Sequence, residues 1–122
     1  MGVRLLIVDD EQELRHTLAA QLDCPDFEVH AASTAEQAVA MVRQQAFDVV
    51  LLDVLMPGLD GLGALKQIKR LRPSTEVILL TGHASIRSAM DGLGKGAFDY
   101  VIKPCPRSNL LGKIESACEI RR

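Results

Sequence analysis

The chain has 122 residues, 48% hydrophobic and 25% charged, enough for one domain with a core that needs no staples. Its net charge of −2 gives no general attraction to nucleic acid or anionic membrane. No apolar run approaches the roughly 18 residues of a membrane span, and the three cysteines (Cys24, Cys105, Cys118) form no CxxC pair, so neither a disulfide framework nor a zinc site is indicated.

Val3–Val8 reads as a buried strand. Glu11–Leu22 follows as a helix, with Leu14, Leu18 and Leu22 at a spacing of four. Phe27–Ala31 is a short second strand. Thr34 caps the next helix, with Gln37 three residues on as in a capping box. Asp48–Leu52 is a third strand, bounded by acids. Met56-Pro57-Gly58 reads as a tight turn, and Asp60 as a cap for a helix over Gly61–Leu71 that turns Leu62, Leu65 and Ile68 to one face. Glu76–Leu80 is a fourth strand. Ile86, Ala89, Met90 and Leu93 then form an i, i+3, i+4, i+7 stripe. Gly92 and Gly94 near that helix's end predict weak helicity; with Gly96 they precede a strand, which is the wrong order for a phosphate cradle. Phe98–Ile102 is the last strand, and Leu110, Ile114, Ala117 and Cys118 face inward from the last helix.

Five strands alternating with helices imply a parallel sheet covered on both faces, and continuous apolar strands agree with that burial. The fold class is therefore α/β: a doubly wound five-stranded parallel sheet of order 2-1-3-4-5, a flavodoxin-like three-layer α/β/α arrangement. In such sheets the site lies at the carboxyl ends of the strands. Asp9, Asp10 and Glu11 follow strand 1, Asp53 ends strand 3, Thr81 ends strand 4 and Lys103 ends strand 5. A lone aspartate after a strand is usually a helix cap, and a lone lysine there is usually solvated. Carboxylates, a hydroxyl and an ammonium converging from four strand ends are harder to explain structurally, because close like charges repel unless a cation neutralises them. Hard carboxylate oxygens suit Mg²⁺, and an aspartate can act as nucleophile to give an acyl phosphate. No His, Glu or Cys is placed as an evident acid or base for a second substrate, so the site is suited to receiving a phosphoryl group.

LLIVDDE (Leu5–Glu11), VVLLDVLMPGLDG (Val49–Gly61), ILLTGHAS (Ile78–Ser85) and GAFDYVIKPC (Gly96–Cys105) stand in order at these strand ends. Through them the sequence resembles, over essentially its whole length, the receiver domain of bacterial two-component response regulators. TGHAS and YVIKPC resemble in particular receivers attached to ATP-dependent transcriptional activators. The resemblance implies a receiver domain over residues 1–122, either standing alone or as the front piece of a longer regulator. It implies Asp53 as the phosphoacceptor and Asp10 as a direct Mg²⁺ ligand, with Asp9 acting through water and the Leu55 backbone carbonyl as a further ligand. Thr81 and Lys103 match the family's phosphoryl-sensing hydroxyl and lysine, Tyr100 its switch aromatic, and Lys103–Pro104 its cis peptide. The implied partners are a sensor histidine kinase, an output domain or downstream protein, and a second copy in a phosphorylation-dependent homodimer. Neither direct nucleic-acid binding nor membrane attachment is expected, and the implied location is the cytoplasm. The switch would alter the surface of helix 4, strand 5 and helix 5.

His83, two residues past Thr81, reads either as an exposed loop histidine or as a modulator of water access. His16 and His30 read as surface positions. Cys105 and Pro106 depart from the family's usual Phe and helix-capping acid. Three rivals are weighed. A Mg-dependent aspartate-nucleophile phosphatase usually carries an acid two residues past the nucleophile, where this chain has Leu55. A flavin-binding module on the same fold would want a hydroxyl- and Gly-rich loop where this chain has Asp9-Asp10-Glu11. A receiver-like module that is never phosphorylated would normally lack a key residue, and none is missing.

Overall fold

A computed structural model describes residues 2–55 and 61–120, with the side chain of Ile120 outside the description. The elements in chain order are β1 (Val3–Val8), α1 (Gln12–Gln21), β2 (Phe27–Ala32), α2 (Ala35–Gln44), β3 (Val49–Asp53), α3 (Gly61–Leu71), β4 (Glu76–Thr81), a 3₁₀ turn (His83–Ser85), α4 (Ile86–Leu93), β5 (Asp99–Ile102) and α5 (Arg107–Ile120). All strand pairs are parallel, in the order β2-β1-β3-β4-β5. Side chains alternate across each strand, so every strand supplies two cores. Leu6, Val8, Val50, Leu52, Val77 and Leu79 pack with α2, α3 and α4. Leu5, Ile7, Leu51, Ile78, Leu80 and Val101 pack with α1 and α5. This is the expected three-layer fold. No helix among the described residues is long and apolar enough to cross a membrane.

Register sets up the strand ends. Val8 lies opposite Leu52, so Asp9 leaves β1 level with Asp53 at the close of β3. Asp53 in turn pairs with Leu80, and Thr81 with Ile102.

Several boundaries and faces differ from the sequence reading. β3 begins one residue later because Asp48 acts as a clamp: its carboxylate accepts from the Arg4 amide at 2.7 Å. Glu11 and Leu22 flank α1 rather than belong to it. Thr34 caps α2 by accepting from the Gln37 amide at 3.0 Å, but the Gln37 side chain returns to the Ser33 amide at 3.0 Å instead of to Thr34. On α3 the buried residues are Gly61, Ala64, Leu65 and Ile68, while Leu62 is half-buried. The apolar stripe expected of α4 is turned outward at Met90 (58% exposed) and Leu93 (38% exposed). Its inner face is Ser85, Ala89 and Gly92, and a β-carbon on Gly92 would run into Leu79 Cδ1. Small residues let the helix lie close against β4, so the small side wins over the apolar one. Gly96, at φ 113°, ends this run in the left-handed conformation that glycine adopts without strain. The amides of Ala97 and Gly96 return to the carbonyls of Gly92 and Leu93 at 3.0 and 3.4 Å, a Schellman closure.

Pro106 stands just before α5 and accepts the Leu110 amide at 3.2 Å, so it is compatible with the helix start. Leu110, Ile114 and Ala117 are buried beneath α5. Cys118 is only half-buried, as are Cys24 and Cys105. His16 is exposed. His30 is half-buried, edge-on to Phe47 with ring centroids 5.4 Å apart, and hydrogen-bonded to Glu28. The turn assigned to Met56-Pro57-Gly58 and the cap assigned to Asp60 lie outside the described residues.

Candidate functional site

The carboxyl ends of β1, β3, β4 and β5 bring their polar residues to one crevice. Asp9 is fully buried and Asp53 is 4% exposed, whereas Asp10 is exposed. One carboxylate oxygen from each of Asp9, Asp10 and Asp53 lies within 4.8 Å of the others. Lys103 enters from β5, with Nζ 3.3 Å from Asp9 Oδ2 and 3.4 Å from Asp53 Oδ2. The Lys103–Pro104 peptide is cis, and the Lys103 amide continues the sheet ladder to the Thr81 carbonyl at 2.7 Å.

The two buried acids, Asp9 and Asp53, are held by backbone. Asp9 Oδ1 accepts the Glu11 amide at 2.9 Å, and Arg15 Nη1 donates to the Asp9 carbonyl at 2.8 Å. Asp53 Oδ1 accepts the Leu55 amide at 3.1 Å. Thr81 is buried, and its hydroxyl donates to the Gly82 carbonyl at 3.0 Å. Tyr100 is half-buried against the core beneath α2, α3 and α4. Its flank is fixed by Asp99, which accepts the Tyr100 amide at 2.7 Å and pairs with Lys113 at 2.6 Å. A groove of about 470 Å³ runs beside it, lined by His83, Tyr100, Lys103, Pro104, Asn109 and Lys113. His83 is exposed at its edge, and Leu55 is 63% exposed beyond Asp53.

All the residues singled out in the sequence thus fall at this end of the sheet, with Tyr100 and His83 one step outside the acid cluster. Two supports went unrecognised. Gly61 opens α3 directly against the strand that carries Asp53: a β-carbon there would collide with the Asp53 carbonyl and come within 2.7–2.8 Å of Val54 backbone atoms. Arg15 reaches back from the second turn of α1. A glycine starting a helix and an arginine on a helix face carry no distinguishing signal in one sequence.

Burial, and next the charge of Asp9, push the Asp53 carboxyl up from 3.8 to about 6, against the Leu55 amide and Lys103, which pull it down. Burial draws the Lys103 ammonium down, but Asp53 and Asp9 outweigh it and hold its pKa raised. The cluster therefore carries unrelieved negative charge. Hard oxygen donors at this spacing fit a small divalent cation.

A measurable consequence follows. A carboxyl with a raised folded-state pKa holds its proton better folded than unfolded. Its contribution to stability is full below 3.8 and lost as pH rises through about 6. Asp53→Asn removes that loss. In urea titrations with chelator, the variant should exceed wild type by about 2 kcal/mol at pH 8 and by much less at pH 4. Equal stability at pH 8 would refute the repulsion.

A model of the response regulator receiver domain matches residues 5–115. The chain is 39% identical over 116 residues to the transcriptional regulatory protein ZraR of Escherichia coli K12, covering 95% of this chain and 26% of that protein. Among solved structures it is similar to the receiver domain of NtrX from Brucella abortus (34% identity, TM-score 0.89, 94% of this chain and 98% of that one). It is also similar to a CheY-like response regulator receiver domain protein from Methanospirillum hungatei JF-1 (30% identity, TM-score 0.92, 99% and 97%). The chain spans about a quarter of the length of the curated relatives it matches.

Proposed function

The chain belongs to the family of response regulator receiver domains, and on that footing we propose that it is a switch thrown by a phosphoryl group taken onto Asp53. The observation that carries this reading is the meeting of Asp9, Asp10, Asp53 and Lys103 at the strand ends. Asp9, Asp10, Asp53 and the Leu55 carbonyl would hold Mg²⁺. When bound, it would neutralise the carboxylates and the oxygens of the incoming phosphoryl group.

The Asp53 carboxylate attacks phosphorus, the bond to the donor's leaving group breaks, and an acyl phosphate results. Lys103, now shared between two carboxylates, turns to the new oxygens. Thr81 gives up its bond to the Gly82 carbonyl and donates to the phosphoryl group. Tyr100 then moves inward into the space that Thr81 leaves. Phosphorylation adds about −1.5 to −2 charges, so the state that pairs them best is favoured and the surface of α4, β5 and α5 changes with it. That surface would serve an output domain, a downstream protein or a second copy of the chain.

In this reading the donor is a sensor histidine kinase in the cytoplasm, and residues 1–122 are the receiver unit of a longer regulator. Relatives several times longer support that placement. The only chemistry required of the chain is its own phosphorylation and dephosphorylation, with exposed His83 as a modulator of water access.

Intact-mass analysis after incubation with Mg²⁺ and acetyl phosphate should show one phosphoryl adduct on wild type and none on Asp53→Asn. No adduct on folded wild type, with beryllofluoride also failing to bind, would leave a constitutive interaction module.

A further inference from the structure

The β1–α1 turn delivers two acids with unequal support. Asp9 is buried, and both its carboxylate oxygens have partners, the Glu11 amide and Lys103. Asp10 is exposed, and no hydrogen bond among the described residues holds its carboxylate. What places Asp10 must therefore be its backbone. The Asp9 carbonyl and the Asp10 amide belong to one planar peptide unit, so holding that carbonyl fixes the plane from which Asp10 departs and leaves φ of Asp10 as the one backbone torsion that aims its side chain. Arg15 Nη1 donates to this carbonyl at 2.8 Å. The Arg15 amide is meanwhile bonded to the Glu11 carbonyl at 3.0 Å, so the guanidinium swings from a helical turn that is already anchored. Side chains on a helix lean toward its N-terminus, which brings Arg15 over the turn. Arg15 is itself half-buried, which limits how far it can stray.

We infer that Arg15 is a positioning residue for cation binding: it locks the Asp9–Asp10 peptide so that Asp10 faces Asp9 and Asp53 before any ion arrives. The inference rests on the Mg²⁺ site of the proposed function. Without Arg15 the peptide would sample other orientations, and binding would have to reorder it, lowering affinity without unmaking the fold. Sequence separation argues the same way. A guanidinium six residues on can reach the turn only because α1 starts immediately after it.

The experiment is calorimetric Mg²⁺ titration of wild type, Arg15→Met, Arg15→Gln and Arg15→Lys, with thermal unfolding in chelator alongside. Loss of a group that orients a metal ligand typically weakens binding about 10–100-fold. Since Arg15 acts through backbone, the Met variant should bind Mg²⁺ about tenfold more weakly. Its metal-free midpoint should stay close to wild type. The Lys and Gln variants, which keep a donor on a shorter reach, should recover part of the affinity. If Lys recovers more than Gln, the positive charge contributes as well as the hydrogen bond. Wild-type affinity in the Met variant would overturn the inference while leaving the proposed function intact. If Met does not fold, a partial loss of affinity in Gln and Lys supports the positioning role, and wild-type affinity in both overturns it. Failure of wild type itself to bind Mg²⁺ would overturn both.

Discussion

Lys103→Met should destabilise the metal-free protein by about 2–3 kcal/mol at pH 8, less than the roughly 3–5 kcal/mol of a fully buried ion pair because the Lys103 side chain is partly exposed. Lys103 is the cation that faces Asp9 and Asp53 together, at 3.3 and 3.4 Å. Methionine keeps most of its stem length and removes the charge, so packing along the β5 end is largely retained. The two carboxylates would then face each other uncompensated. Asp53, already raised to about 6, would be pushed further up and would escape by taking a proton. That escape caps the loss and gives it a pH signature: the deficit should be largest at pH 8 and about 1 kcal/mol smaller near pH 5, where Asp53 already holds its proton and only the pair with Asp9 is lost. In an Asp53→Asn background the same Lys103→Met change should cost about 1 kcal/mol less, because one repelling charge is gone. Urea titrations of the four proteins at two pH values test this. A deficit that does not depend on pH would mean that Lys103 stabilises by packing alone.

Gly61→Ala should also destabilise by about 2–3 kcal/mol, the cost of forcing an extra carbon into packed surroundings. The sign is informative. At an ordinary helix position, alanine in place of glycine gains about 0.5–1 kcal/mol. At Gly61 the added carbon meets the backbone of Asp53 and Val54, which cannot rotate aside as a side-chain tip would. Gly112 in α5 has open space where its β-carbon would go and serves as the control. Its replacement by alanine should stabilise. Because Gly61 leans on Asp53, the proposed acceptor and one of the proposed Mg²⁺ ligands, the alanine variant should also lower Mg²⁺ affinity. A stabilised Gly61→Ala protein would show that the strand end gives way easily.

The parts of the fold that were legible in the sequence share a cause. Val49–Leu52 and Val77–Leu80 are apolar without a break because both faces of the sheet are covered, and that pattern admits few arrangements. The site was legible because parallel strands deliver their last residues to one edge, so Asp9, Asp53, Thr81 and Lys103 needed only a strand order to be brought together. What escaped depended on distances that no periodicity encodes. The stripe of Ile86, Ala89, Met90 and Leu93 looked inward, but how closely α4 approaches Leu79 favours Ser85, Ala89 and Gly92 instead. Gln37 chose the Ser33 amide over that of Thr34, a difference of one residue. Gly61 and Arg15 act on backbone atoms of their neighbours, and a sequence lists side chains.

The inner face of α4 sets a local free energy of opening. Eight residues fall short of the roughly 12–15 at which a helix stands unaided in water, so α4 exists only by virtue of what it rests on. It rests on a serine, an alanine and a glycine, which together remove little apolar area from water, and two of its large apolar side chains remain outside. Opening such a segment uncovers part of Leu79 but withdraws no large apolar side chain of its own from the core, so its amides should exchange with deuterium before those of α3, which is seated by Leu65 and Ile68. The domain is in this sense a stiff lattice with one loosely bolted panel, and that panel is joined to Thr81 by Gly82 and a single 3₁₀ turn.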